Sequence, residues 1–198
     1  MAHYPSQQLI LSSSSPRRAD LLKQIGLQFL VRKPEVDESP LQGEVSEHYV
    51  ERLALSKSAA GWSAGYISLG ADTIVTLEGR LLGKPVNAED GVDMLLSLSG
   101  RVHQVHTGVA LFDGERSQSI VVTSQVSFCT ISVAQAQAYW QSEEPKDKAG
   151  GYGIQGLGSV FCKKIEGSHT GIVGLPIHET EVLLRSFGLD TWAMRANV

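Results

Sequence analysis

A short basic turn near the start of the chain is the first set of residues whose types could hold an anion. Residues 12–18 read Ser-Ser-Ser-Ser-Pro-Arg-Arg, between an apolar run and a predicted helix start. Backbone N–H groups and the dipole at a helix N-terminus favour an anion, and hydroxyl and guanidinium groups add donors. Candidate phosphate ligands are Ser13, Ser15, Arg17 and Arg18. The alternative is a capped helix with two solvated arginines, and a P-loop is excluded because Gly-Lys-Ser is missing.

Two acidic positions could work beside such an anion. Asp72 follows an apolar run in Gly-Ala-Asp-Thr, residues 70–73, which predicts a strand ending at this aspartate. A carboxylate where the chain leaves a sheet can hold a divalent cation or take a proton from water. It can equally be an Asx-turn residue. Glu38, beside Asp37, is a second acidic point, although such a run is also typical of a solvated loop.

Two lysines could add positive charge. Lys57 stands seven residues after Val50 and four after Leu53, on the stripe of a predicted helix that should face the core. A buried ammonium needs a partner, so either its stem extends to the surface or it points into an anion-filled cleft. On this interpretation, Lys57→Met should preserve or slightly raise stability. Lys84, before Pro85, could reach the same cleft or simply be exposed.

A glycine-rich segment is the third candidate. Residues 147–158 contain five glycines, which allow a backbone to approach a ligand closely, and Gln155 carries a donor and an acceptor on one amide. A flexible surface loop would contain Ser and Asn rather than Tyr152 and Ile154. The segment is therefore predicted to be an ordered binding loop.

The elements that position these residues follow from periodicity and turn signals. The hairpins are predicted at Glu78-Gly79 and Asp113-Gly114, and Ser15-Pro16 predicts a helix start. Alternating runs predict strands over residues 9–12, 27–32, 67–71, 74–77, 80–82, 102–112, 119–131, 159–165 and 171–173. Apolar stripes with caps predict helices over residues 16–25, 46–63, 87–99, 133–141 and 176–187. The pattern indicates an α/β fold with a mixed sheet and flanking helices.

Composition narrows the class of protein. A chain of 198 residues suits one domain, with room for two lobes. The net charge of −4 and pI near 5.9 exclude a broad basic surface for duplex DNA or an anionic membrane, so an anion must be captured locally. The polar start and the short first apolar run predict a cytoplasmic protein.

The cysteines and histidines carry no separate chemistry. Cys129 and Cys162 lie in strand-like runs, where a small core residue is the expected role rather than a disulfide. His103 and His106 have no metal-ligand spacing and are expected to be strand residues.

The motifs occur in an order that resembles the Maf family over essentially the whole chain, predicted as a single domain of residues 1–198. The resemblance rests on these motifs: residues 12–18, 36–38, 52–57, 70–73, 83–85 and 147–156. Residues 152–156, Tyr-Gly-Ile-Gln-Gly, look like the branch that acts on dTTP and UTP. The departures are small, namely Ser14 where Gly is frequent and Gly151 where Ala is frequent.

The resemblance implies an α/β fold related to the inosine triphosphate pyrophosphatases, with a deep cleft between two lobes, and usually a homodimer. It also implies hydrolysis of a triphosphate to a monophosphate and pyrophosphate. By position, Asp72 matches the family's proton acceptor, and Arg17, Thr73 and Gln155 match its substrate-discriminating residues. Glu38, Lys57 and Lys84 match further active-site positions.

With those roles, Mg²⁺ or Mn²⁺ is expected on Asp72 and Glu38. The phosphate ligands are then expected to be Arg17, Arg18, Lys57, Lys84, Ser13 and Ser15. One amide at Gln155 can pair with both the N3-H and the O4 of uracil or thymine, whereas cytosine reverses both sites. Two rival classes are an enzyme that cleaves the γ-phosphate and a nucleotide-binding regulator without catalysis.

Overall fold

Caps and turns produce the helices and strands that the sequence predicts, with few exceptions. The computed structural model describes residues 8–195. The strands are β1 Gln8–Ser12, β2 Phe29–Arg32, β3 Tyr66–Leu77, β4 Arg80–Leu82, β5 Val102–Phe112, β6 Ser117–Phe128 and β7 Cys162–Glu166. The helices are α1 Pro16–Gln24, α2 Ser46–Gly61, α3 Ala88–Leu98, α4 Val133–Gln141, α5 His169–Val173, α6 Ile177–Ser186 and α7 Thr191–Arg195. The glycine-rich residues 147–158 overlap three short 3₁₀ segments, Glu144–Asp147, Ala149–Gly151 and Leu157–Phe161.

In the described part of the chain, seven strands form one mixed sheet. Its order is β2-β1-β3-β5-β6-β7, and β4 pairs with β3. Strand β1 runs parallel to both β2 and β3, whereas β4 is antiparallel to β3 and β7 is antiparallel to β6. The predicted α/β fold with a mixed sheet and flanking helices is confirmed.

The chain divides into two compact units, and it passes from one to the other within β3, between Asp72 and Thr73. Unit 1 contains the described residues up to Asp72, Thr107–Val121 and the described residues from Gly174 onward. Unit 2 contains Thr73–His106 and Val122–Val173. None of the described helices is both long and apolar enough to cross a membrane.

Three predicted elements are wrong in detail. Asp72 does not end a strand, because β3 continues through it to Leu77. Residues 171–173 are helical and belong to α5, and β7 begins only at Cys162. Short apolar runs do not distinguish a strand from a helix by periodicity, which explains the error at residues 171–173.

In unit 1, α2 packs on β1 and β3 at a distance that only glycine permits. A Cβ atom on Gly70 of β3 would lie 2.2 Å from the Ala54 oxygen and 2.4 Å from the Ser58 nitrogen. A Cβ on Gly61 would lie 2.0 Å from the Ser12 hydroxyl oxygen. The Ser12 hydroxyl in turn donates to the Lys57 carbonyl at 2.5 Å. These contacts bring the backbone of α2 directly against the strands.

In unit 2, a separate core supports the glycine-rich segment. Buried side chains of α3, α4 and the strands, such as Leu95, Tyr139 and Phe128, pack together with Tyr152 and Ile154. The segment 147–158 is therefore ordered by core packing, as predicted, while its binding role stays a prediction. Cys129 and Cys162 are free thiols that pack partly buried against this core, as expected.

Replacing Gly70 by alanine should destabilise the protein by about 3 kcal/mol or more, because the new methyl group meets backbone atoms that cannot rotate away. Gly83→Ala is the matched control, since nothing lies within 4 Å of its added Cβ. Chemical denaturation of both variants measures the difference. Equal stability of the two variants would contradict the close helix-strand contact.

Candidate active site

A buried ammonium between two carboxylates is the centre of the candidate site in unit 1. Lys57, on α2, is only 6% exposed, and Asp72, inside β3, is 8% exposed. The Lys57 Nζ donates to Asp72 Oδ1 at 2.6 Å and lies 2.7 Å from Glu38 Oε1. The ammonium therefore does not extend to the surface; it neutralises the two acidic positions that the sequence singled out.

The loop that carries Glu38 is fixed to α2 by groups that sequence reasoning did not assign. The Tyr49 hydroxyl donates to the Glu38 carbonyl at 2.9 Å, and Arg52 Nη2 donates to the Ser39 carbonyl at 3.1 Å. Arg52 also binds both carboxylate oxygens of Glu44, at 2.6 and 2.7 Å. The hydrogen bond from Arg52 lowers the pKa of Glu44 to about 2. Glu44 lies outside the helix, so no helical spacing reveals this pair.

The basic turn folds around the hydroxyl of Ser13, which is buried. This oxygen accepts hydrogen bonds from Arg18 Nη1 at 3.1 Å and from the Ser15 amide at 3.2 Å. Arg18 Nε donates to the Gly174 carbonyl at 2.8 Å. Burial lowers the pKa of Arg18, while the negative charge of Asp72 acts in the opposite direction. The Arg18 guanidinium thus lies within electrostatic range of the carboxylates.

The rest of the turn has the predicted helical geometry. Ser15 is the N-cap residue of α1 and Pro16 follows at its first turn, while the Ser15 side chain makes no capping hydrogen bond. Arg17 is half-buried. Seven of the predicted site residues thus belong to unit 1: Ser13, Ser15, Arg17, Arg18, Glu38, Lys57 and Asp72.

Unit 2 contains the other three predicted site residues. Thr73 is half-buried on β3, whereas Lys84 and Gln155 are exposed. The Gly150 amide donates to the Gly83 carbonyl at 3.0 Å, which ties the turn before Lys84 to the glycine-rich segment. Lys84 and Gln155 thus lie on two segments that a backbone hydrogen bond joins.

The carboxylate pair has the donor chemistry that magnesium or manganese prefers in proteins. Oxygens of Asp72 and Glu38 already converge on one cation, the Lys57 ammonium. Mg²⁺ typically takes one or two carboxylates from a protein and completes its shell with water and substrate phosphates. Over residues 8–195, no group of three or more His, Cys, Asp or Glu side chains could hold a metal ion, so any site here has only this pair.

Comparison with known proteins identifies the family of the chain. The family model described as Maf-like protein matches residues 8–187. The chain belongs to the Maf family. The matched range extends over both units.

Two curated relatives of this Maf protein share one name. The dTTP/UTP pyrophosphatase of Pseudoalteromonas atlantica is 47% identical over 187 residues, covering 91% of this chain and 97% of that protein. The dTTP/UTP pyrophosphatase of Vibrio cholerae is 48% identical over 182 residues, covering 90% and 97%.

A solved structure, that of the Staphylococcus aureus Ham1 protein, aligns with this Maf protein at a TM-score of 0.42 and 18% identity. The alignment covers 64% of this chain and 73% of that one. This likeness is too distant to carry an argument.

Because of this ion pair, we expect Lys57→Met to destabilise the protein, the opposite of the effect predicted from the sequence. Removing the ammonium leaves the buried Asp72 carboxylate without its cation, so the variant should lose about 3 kcal/mol of unfolding free energy rather than gain stability. The double variant Lys57→Met/Asp72→Asn should recover part of this loss, because the buried carboxylate is then removed together with its cation.

Denaturant titration of the two single variants and the double variant measures this coupling. Lys84→Met, at an exposed lysine, is the matched control and should change stability by about 0.5 kcal/mol or less. A Lys57→Met protein as stable as wild type would show that other groups neutralise Asp72.

Proposed function

We propose that this chain hydrolyses dTTP and UTP to the monophosphate and pyrophosphate, in a housekeeping role for the nucleotide pool. The observation that carries the proposal is the Lys57-Asp72-Glu38 cluster, in which Lys57 and Asp72 are buried, in the same unit as the Ser13-Arg18 turn. The Maf membership and the names of relatives 47–48% identical support it. Modified pyrimidine nucleotides are further candidate substrates.

Cleavage between the α- and β-phosphates needs a nucleophile, a proton acceptor and charge neutralisation. A water oxygen forms the new bond to the α-phosphorus, and the bond to the bridging oxygen breaks, so that pyrophosphate leaves. Asp72 accepts the proton that the water loses. Arg17, Arg18 and the amides of the basic turn neutralise phosphate oxygens as charge moves onto the leaving group.

The carboxylate pair supports the further proposal of a divalent cation at this position. Mg²⁺ or Mn²⁺ on Asp72 and Glu38 would supply the positive charge that Lys57 supplies in this structure, leaving the ammonium to phosphate oxygens. Lys57 and Lys84 are accordingly proposed as phosphate ligands, together with Ser13 and Ser15.

The acidic cluster weighs against one of the two rival classes, the nucleotide-binding regulator without catalysis. A pure anion binder gains nothing from carboxylates beside phosphate, because like charges repel. An enzyme that cleaves the γ-phosphate would use similar charges but release orthophosphate. The products of the reaction therefore distinguish all three functions.

Base recognition is proposed for Gln155, with Thr73 and Arg17 as the other discriminating residues. Gln155 is exposed, while its neighbours Tyr152 and Ile154 are buried. A side-chain amide on a fixed backbone can pair with the N3-H and O4 edge shared by uracil and thymine. Cytosine would leave these polar groups unpaired.

The family resemblance also predicts a homodimer, and the sequence predicts a cytoplasmic location and a single domain over residues 1–198. These stay predictions. Light scattering of the purified chain gives the oligomeric state directly.

Incubation with UTP and Mg²⁺ should yield UMP and pyrophosphate, resolved by ion-exchange chromatography from UDP and orthophosphate. Asp72→Asn should remain folded but lose on the order of a hundredfold or more in turnover, since the proton acceptor is gone. Asp93→Asn, at an exposed position on α3, is the control and should keep full activity. UDP as the product would refute the reaction, and near wild-type turnover by Asp72→Asn would remove Asp72 from it.

Wild type should hydrolyse UTP and dTTP comparably, and CTP more slowly by roughly 10⁴ in kcat/KM. Gln155→Ala should compress the UTP to CTP ratio by damaging UTP more, because water can serve either base. The exposed Gln137, changed to alanine, is the matched control. An unchanged UTP to CTP ratio in Gln155→Ala would indicate that Thr73, Arg17 or backbone groups recognise the base instead.

A further inference from the structure

One carboxylate in unit 2 binds the far end of the segment that presents Gln155. Glu144 begins the 3₁₀ segment Glu144–Asp147, just after α4. Its Oε2 accepts the Leu157 amide at 2.8 Å, and its Oε1 accepts the Gly158 amide at 3.0 Å. These are backbone groups immediately beyond Gln155, so Glu144 fixes the chain where it leaves the recognition residue.

The near end of the segment is tied to the same carboxylate through a tyrosine. The Tyr139 hydroxyl donates to Glu144 Oε1 at 2.6 Å and accepts the Gly153 amide at 2.9 Å. Tyr139 is 6% exposed, within the core of unit 2. Both ends of the segment 153–158 therefore converge on one acidic group.

The glycines of this segment leave room for the carboxylate. A Cβ on Gly153 would lie 2.8 Å from Glu144 Oε1, and a Cβ on Gly156 would lie 2.1 Å from Glu144 Oε2. The backbone on each side of Gln155 thus approaches the carboxylate closely, although the Gln155 side chain is exposed. The glycines serve close contact with an internal anion rather than flexibility.

The contacts require Glu144 to be ionised. Its burial raises the pKa, but the hydrogen bonds from Tyr139, Gly158 and Leu157 outweigh burial and hold the pKa below its ordinary value. A carboxylate accepts hydrogen bonds at both oxygens, whereas an amide of the same shape would turn an NH₂ group toward one of these donors. No other side chain of equal size replaces it.

A second buried contact fixes the start of the loop. The Tyr152 hydroxyl and His103 Nε2 are 2.8 Å apart, and both side chains are buried. Burial lowers the pKa of His103 to about 4, so this histidine is neutral at physiological pH. The backbone that leads into the segment 153–158 is therefore held independently of Glu144.

We propose that Glu144 is a positioning residue for base selectivity: it holds the segment 153–158, with Tyr139, so that the Gln155 amide meets the pyrimidine edge in one orientation. Glu144 touches neither the base nor the reacting phosphate in this role. The inference rests on the proposed function for its substrate, and on the hydrogen bonds of unit 2 for its mechanism.

The kinetic test compares kcat/KM for UTP and CTP in wild type and in Glu144→Gln. The UTP to CTP ratio should fall roughly tenfold, the effect of losing a hydrogen bond to a charged group. This ratio does not depend on the fraction of enzyme that is folded, so partial unfolding cannot mimic the result. Glu143→Gln, at the exposed neighbouring glutamate, should keep the wild-type ratio. An unchanged ratio in Glu144→Gln would overturn the proposal.

Combined variants separate positioning from direct contact. Tyr139→Phe breaks the link to Gly153 and should lower the ratio in the same direction as Glu144→Gln. In a Gln155→Ala background, Glu144→Gln should lower the ratio no further, because no amide is left to orient. Additive effects in the double variant would show that Glu144 acts on selectivity without Gln155.

Amide hydrogen exchange tests the structural step without any substrate. The amides of Gly153, Leu157 and Gly158 should exchange roughly tenfold faster in Glu144→Gln, while amides of α3 stay protected. Unchanged exchange at these three amides would overturn the holding role. Absence of UTP hydrolysis by wild type would refute the proposed function and the selectivity role together, whereas faster exchange would still establish the contact between Glu144 and the loop.

Discussion

The ammonium of Lys57 is the constraint on which the arrangement of unit 1 depends, because it allows a carboxylate to be buried in the middle of a strand. Desolvating Asp72 alone would cost several kcal/mol, and the ion pair at 2.6 Å offsets much of that cost. Such a short pair requires α2 to lie close to β3. The close approach depends in turn on Gly70, whose missing Cβ makes room for the Ala54 carbonyl.

These contacts explain two residues of the motif Gly-Ala-Asp-Thr in physical terms. Gly70 allows α2 to lie close to β3. At this distance Lys57 on α2 forms its ion pair with Asp72. Glu38 reaches the same ammonium from a loop fixed by Tyr49 and Arg52. The resulting cluster joins two negative groups and one positive group.

In unit 2, a partly buried polar network supports the exposed Gln155, the residue proposed for base recognition. Gln155 has little packing of its own, so its orientation depends on the backbone that presents it. That backbone is held by Glu144 and Tyr139. Rigid support beneath an exposed polar side chain is what selective hydrogen bonding requires.

The sequence by itself determined the elements with strong local signals. The Asn87 cap, the Ser15-Pro16 start and the hairpin at Glu78-Gly79 are local, and the structure has α3, α1 and the β3-β4 pair where they predict them. The order of the six motifs along the chain also indicated the family. Only the tertiary structure decided that β3 runs through Asp72, because the partner that makes this possible lies 15 residues away on a helix. The roles of Arg52 and Glu144 stayed hidden for the same reason: each depends on contacts between segments whose spacing follows no helical or strand period.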